Sequence, residues 1–165
     1  MARSRHRFVT FALCALIAMA LLAPCRASAQ ERTDYSASAL NAQEVILANL
    51  VNEDRANAGV NPVALDSQLC ALARKKSQDM LDNKYFAHRS PTYGNVTSML
   101  KQFGVSFLGC SENISRHRTV YHSDAAFLSS KMHRRNLLST SWTHFGVGVV
   151  KGVGCVYVTQ IFVRR

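Results

Sequence analysis

The C-terminal end of the chain constrains its fold more than any other stretch. Phe145 to Lys151 is a β-branched run, Gly152-Val153-Gly154 supplies a turn, and Cys155 to Val163 runs back with the same character. Two such runs joined by a glycine-rich turn read as an antiparallel hairpin. The upstream half reads differently. From about Ala39 to Asn57, Leu47, Leu50, Val51 and Asp54 follow the three-and-four spacing of a helix, with Ile46 widening the stripe. Gly59 ends that helix and Asn61-Pro62 turns the chain.

Asp66 is placed to cap a second helix that runs to about Asn83, with Leu69, Leu72, Ala73 and Met80 on one face. A loop from Tyr85 to Gly94 contains Ser90-Pro91, and a short helix follows from about Val96 to Phe103, stopping at Gly104. Val105–Phe107 and Ser111–Ser115 read as short strands. Asp124 to Leu138 reads as helix, capped by Ser123 and broken near Lys131–His133. Helices come first and paired strands come late, so the expected class is α+β with an antiparallel sheet.

The N-terminus has the layout of a cleaved secretory signal peptide. Arg3, Arg5 and Arg7 precede an almost unbroken apolar run of 16 residues, Phe8–Ala23, and Ala27-Ser28-Ala29 forms a small-x-small site. The run is short of the ~20 residues a permanent span needs. The expected organisation is a leader over 1–29, a loose segment over 30–38, and one domain over 39–165. No transmembrane segment is expected after cleavage, and the expected location is secreted or periplasmic.

Cleavage after Ala29 removes four of the 20 basic residues (Arg3, Arg5, Arg7, Arg26) and no acid. This leaves 16 basic against 10 acidic residues, a net +6 over 136 residues. The basic residues are dispersed. The densest clusters, Arg74-Lys75-Lys76, Arg134-Arg135 and Arg164-Arg165, read as solvated surface, and export argues against a nucleic-acid partner. Of the five cysteines, Cys70, Cys110 and Cys155 remain. Cys70 lies on a helical apolar face and reads as a small buried hydrophobe. Cys110 and Cys155 sit in strand-like segments and are the preferred disulfide pair. Closing that ~45-residue loop would contribute ~3–4 kcal/mol on the chain-entropy view.

Spacing alone yields no helical zinc motif, no phosphate loop, no nucleophile elbow and no Cys-x-x-Cys pair. Three segments are nevertheless unusual in combination: Tyr85-Phe86-Ala87-His88-Arg89-Ser90-Pro91 with Tyr93-Gly94, then Ser111-Glu112-Asn113-Ile114, then His133-Arg134-Arg135-Asn136-Leu137-Leu138. Leu50-Val51-Asn52 and Arg55 precede them; Gly146-Val147-Gly148 and Val158-Thr159-Gln160 follow. In this order they resemble the CAP superfamily of cysteine-rich secretory, antigen 5 and pathogenesis-related proteins, in its compact bacterial form, over residues 40–163.

The resemblance implies an α-β-α sandwich with an antiparallel sheet between helical layers. It also implies a surface cleft in which His88 and His133 match the two histidines and Glu112 matches the acid of the Glu-Asn-Ile motif. In some members the two histidines hold zinc or a similar divalent ion, so His88 and His133 are the candidate metal ligands here. Ser130 stands where larger members carry a second glutamate. Phe127 and Ser130-Lys131-Met132 replace a tryptophan and a Ser-Pro-Gly turn, and Lys131 brings a like charge that weakens divalent binding.

The function implied is a non-enzymatic binding module for a lipid, a peptide or a cell-envelope ligand. The alternative is a metal-assisted hydrolase or peptidase with Glu112 as base. Ser90 reads as a turn residue, Asn113 as a turn-maker, and His117, His122 and His144 as surface or strand-edge residues.

Overall fold

The structure, a computed structural model, describes residues 40–165. The expected leader and the loose segment after it lie outside the described residues. The elements run in chain order as α1 (Ala42–Asn57), β1 (Ala64–Leu65), α2 (Ser67–Asp82), α3 (Val96–Gln102), β2 (Gly109–His117), α4 (Val120–Ser129), α5 (Lys131–Leu138), β3 (His144–Lys151) and β4 (Val156–Arg164).

The hairpin is present. β3 pairs antiparallel with β4, His144 opposite Val163 and Lys151 opposite Val156. β2 pairs antiparallel with the other side of β4, from Gly109 opposite Arg164 to His117 opposite Val156. The sheet order is β1-β3-β4-β2, which leaves β2 on an edge. One feature departs from the expected antiparallel sheet. β1 adds to β3 in parallel, Ala64 opposite His144. Two residues are too few to carry an alternating pattern, so this strand was not legible in the sequence.

Helices cover both faces, giving the α-β-α sandwich. Alternate residues of a strand point to opposite faces. Phe145, Val147 and Val149 join Val158 and Phe162 in a core shared with Leu47, Val51, Phe127 and Leu137 from α1, α4 and α5. On the other face Ile161 and Val163 meet Leu69, Leu72, Ala73, Met99 and Leu100 from α2 and α3. Gly146 and Gly148 let α2 sit directly on β3. A Cβ at Gly146 would lie 2.2 Å from the Leu69 carbonyl carbon, and one at Gly148 would lie 2.1 Å from the Arg74 nitrogen.

Local capping explains the helix boundaries. Asn41 and Glu44 form a reciprocal capping box on α1. The fully buried Glu44 also accepts from Val149 N at 3.1 Å and from Arg74 Nε at 2.7 Å, tying α1 to β3 and α2. Asp66 caps α2 as expected, accepting from Leu69 N. α4 begins at Val120 rather than Asp124, because Thr119 and not Ser123 is its cap. The break before His133 is at Ser130, which is extended at φ −83°, ψ 120°. Val105–Phe107 is not a strand: Val105 N closes onto Leu100 O and ends α3.

The expected Cys110–Cys155 disulfide is corrected: Cys70, Cys110 and Cys155 are all free thiols. Cys110 lies opposite Val163, near one end of the β2–β4 ladder, while Cys155 precedes Val156 at the other. Seven or so residues of strand put them on the order of 24 Å apart, far beyond the ~7 Å Cα limit for a bridge. Cys70 is buried as expected, and burial pushes its thiol up to about 11. Among the described residues no helix is long and apolar enough to cross a membrane.

Candidate functional site

The site is built around the edge strand. Glu112 and Asn113 are neighbours on β2, so their side chains leave opposite faces of the sheet. Glu112 stands opposite Ile161, on the α2 side, and Asn113 stands opposite Gln160, on the α5 side. One adjacent pair can therefore fix two separate elements, one from each helical layer.

On the α2 side, Glu112 Oε2 lies 2.7 Å from His88 Nδ1. The Glu112 side chain is 4% exposed and the His88 side chain 57% exposed. A carboxylate only accepts, so Nδ1 carries the proton, and in the neutral imidazole the other nitrogen, Nε2, is then the acceptor. The backbone under His88 is held from below. Lys76 Nζ donates to Ala87 O at 2.8 Å, His88 O at 3.1 Å and Tyr85 OH at 3.0 Å.

Asp79, one turn along α2, accepts from Ser90 Oγ at 2.7 Å, Thr92 Oγ1 at 2.6 Å, Asn83 Nδ2 at 2.7 Å and Tyr85 OH. Burial works to raise the Asp79 pKa, but these four donors outweigh it and hold the carboxyl below the usual range. Ser90 Oγ also accepts from Thr92 N and Tyr93 N, the turn role expected of it. The whole loop from Tyr85 to Gly94 is thus pinned to one face of α2.

On the α5 side, Asn113 Nδ2 donates to His133 O and to Gln160 Oε1, each at 3.1 Å, while Asn136 Nδ2 donates to Asn113 Oδ1 at 3.0 Å. Asn113 is fully buried in a strand. It is a bracket for α5, not the turn-maker its residue type suggested. The His133 ring packs edge-on against Phe127 at 5.4 Å. Burial lowers the His133 pKa first, and the nearby His88 lowers it further. The rim continues through Arg116, whose guanidinium lies 5.9 Å from the Phe86 ring and 5.8 Å from the Tyr157 ring.

The structure joins His88 to Glu112 directly, and holds His133 through its backbone carbonyl on Asn113, the next residue of β2. His117 and His122 are exposed elsewhere, and His144 sits half-buried at the start of β3. As a metal centre the set is short of donors. Catalytic zinc is held by three protein ligands and structural zinc by four. Here two imidazoles are available, and Glu112 is already engaged in orienting one of them. Among the described residues no three His, Cys, Asp or Glu side chains converge as a group fit for an ion.

Two features escaped sequence reading. Lys76 was part of a basic cluster read as solvated, yet it is 1% exposed and directly beneath the site. The signal lay in its place on the same helical face as Leu69, Leu72, Ala73 and Met80. The second is an acidic pair joining α1 to α4. Asp54 Oδ2 and Asp124 Oδ1 are sealed from solvent with no hydrogen-bond partner among the described residues. Burying carboxyls this way favours the protonated form. Burial first, then the neighbouring charge, pushes Asp124 up to about 7 and raises Asp54.

Residues 48–162 match the profile of the cysteine-rich secretory protein (CAP) family. The chain is 38% identical over 144 residues to the uncharacterized protein YkwD of Bacillus subtilis, covering 87% of this chain and 55% of that protein. It is 34% identical over 120 residues to the uncharacterized membrane protein YlbC of the same organism, covering 71% of this chain and 33% of that one. The chain thus spans about half of one relative and a third of the other. Among solved structures it is similar to an extracellular protein of Bacillus anthracis containing an SCP domain, at 33% identity and a TM-score of 0.70, covering 74% of this chain and 40% of that one.

Proposed function

The chain belongs to the cysteine-rich secretory protein (CAP) family, and from that premise we propose that it is an extracytoplasmic, non-enzymatic binding module. Its ligand-binding residues are His88, Glu112 and His133, and its ligand is a peptide or glycan of the cell envelope. The observation that carries this reading is the 2.7 Å contact between Glu112 Oε2 and His88 Nδ1. It locks an exposed imidazole in one tautomer and aims Nε2 outward, as preorganised recognition requires. The accessible groups, the His88 and His133 imidazoles, are polar and suit a hydrogen-bonding ligand better than an acyl chain. The leader-like N-terminus and the extracellular relative in Bacillus anthracis support a location outside the cytoplasm.

The donor set supports binding over metal-assisted hydrolysis, because a third protein ligand is missing and Glu112 is committed to His88. The test is calorimetric titration of soluble peptidoglycan fragments into the protein, with His88→Ala, Glu112→Gln and His133→Ala beside it. The reading predicts a loss of about tenfold or more in each variant, the cost of one hydrogen bond to a charged or preorganised group. Unchanged binding in all three folded variants refutes it.

A further inference from the structure

We propose that the outer face of α5 is a docking surface for an anionic phospholipid bilayer. The inner face of this helix is committed: Leu137 is fully buried and His133 packs on Phe127. The outer face carries Lys131, Arg134 and Arg135, all exposed, with Met132, which is 70% exposed, along one edge of this basic stripe. These residues, with Leu138 and Ser139, line a groove of ≈ 510 Å³. Among the described residues none of the three cations is in an ion pair. α5 contains no acid, and no acidic residue follows Asp124 to the end of the chain. The positive charge of this face is therefore uncompensated from its own end of the sequence.

Two features choose the occupant. A soluble polyanion would use the cations but gain nothing from an exposed thioether beside them. A neutral membrane would use Met132 but not the cations. A face that offers both, an exposed apolar side chain flanking a basic stripe, matches a surface with phosphate headgroups over an acyl boundary. Lys and Arg can hold their charges at headgroup level while their stems lie along apolar surface. This surface shares α5 with His133 of the binding site, so the His88→Ala arm, which alters that site without touching α5, separates the two.

The experiment is co-sedimentation with vesicles of phosphatidylglycerol mixed into phosphatidylcholine, against phosphatidylcholine alone, using the same form of the chain in every arm. The proposal predicts preference for the anionic vesicles, falling steeply between 0.1 and 0.5 M salt as screening shortens. The variant Lys131→Gln/Arg134→Gln/Arg135→Gln is expected to lose binding on the order of a hundredfold, the effect of three basic residues near such a surface. Met132→Ser is expected to lose several-fold at fixed salt, and His88→Ala to bind as the wild type does.

Equal partition into both vesicle types overturns the proposal, as does a triple variant that binds unchanged. Tight binding of polyphosphate that is insensitive to Met132→Ser, with no vesicle preference, overturns it in favour of a soluble polyanion. Should the triple variant lose its near-ultraviolet circular dichroism, the salt dependence of the wild type and the Met132→Ser arm still decide.

Discussion

Replacing Asp124 by asparagine should stabilise the protein at alkaline pH and leave it nearly unchanged in acid. Asp124 is 7% exposed, and its partner across the α1–α4 contact is another carboxyl. In the folded state its pKa stands at about 7, against 3.8 for the ordinary group. A group raised on folding contributes most below its unfolded value, and that contribution is lost as pH rises through the folded value. The wild type should therefore lose stability between about pH 4 and pH 7 from this pair. Roughly three pH units at 1.36 kcal/mol each set a ceiling of about 4 kcal/mol. Asp124→Asn removes the buried acid at every pH, so no proton is needed to neutralise it.

The variant should gain about 2–4 kcal/mol at pH 8, a Tm rise on the order of 10 °C for a domain of this size, and close to nothing at pH 4. Thermal or urea unfolding of both proteins at the two pH values reads the difference directly. His133, whose pKa is lowered, shifts both proteins alike and cancels in the comparison. A difference independent of pH, or a variant less stable at pH 8, would refute the reasoning from a buried acid.

The remaining predictions concern packing and the site. Gly148→Ala should destabilise by about 3 kcal/mol or more, since its Cβ meets backbone at 2.1 Å and neither α2 nor β3 can yield; chemical denaturation measures it. Lys76→Met should free the His88 carbonyl and its neighbours, costing about 2–3 kcal/mol for the lost charge-assisted hydrogen bonds. It should also weaken ligand binding through the loop, visible as faster amide exchange across Tyr85–Gly94. Asp79→Asn should remove a contribution that the wild type loses only as pH falls through the depressed carboxyl range, so its cost should shrink in acid, below the ordinary carboxylate range, in titrations of stability. Cys155→Ser should leave stability within ~0.5 kcal/mol of the wild type in oxidising buffer, because no bridge is broken.

Periodicity and turn chemistry made the scaffold legible. The β3–β4 hairpin, the Asp66 cap, the α2 face and the end of α3 near Gly104 all rest on local signals, and all are present. Boundaries failed where several polar residues competed for a cap: Thr119 won over Ser123, a choice made by backbone geometry that the sequence does not display. β1 was missed for its length, and Val105–Phe107 was misread because a β-branched residue also ends a helix well when buried.

The site was legible only through the ordered motifs of the family, since no local spacing links His88, Glu112 and His133. Their meeting depends on β2 lying at the sheet edge, with Glu112 and Asn113 facing opposite layers. Long-range partnerships were beyond reach for the same reason. Glu44 with Arg74, and Asp54 with Asp124, are pairs made by tertiary packing. The preferred disulfide failed because residue type was weighed without register.

The central claim is that Glu112 presents an oriented His88 to a ligand. The most direct measurement is the imidazole nitrogen spectrum of the protein labelled at histidine, recorded at neutral pH before and after adding soluble peptidoglycan fragments. The account predicts that His88 carries its proton on Nδ1, and that the His88 and His133 signals move on addition while those of His117, His122 and His144 stay in place. A His88 protonated on Nε2, or signals for His88 and His133 that do not respond to any fragment, would contradict it.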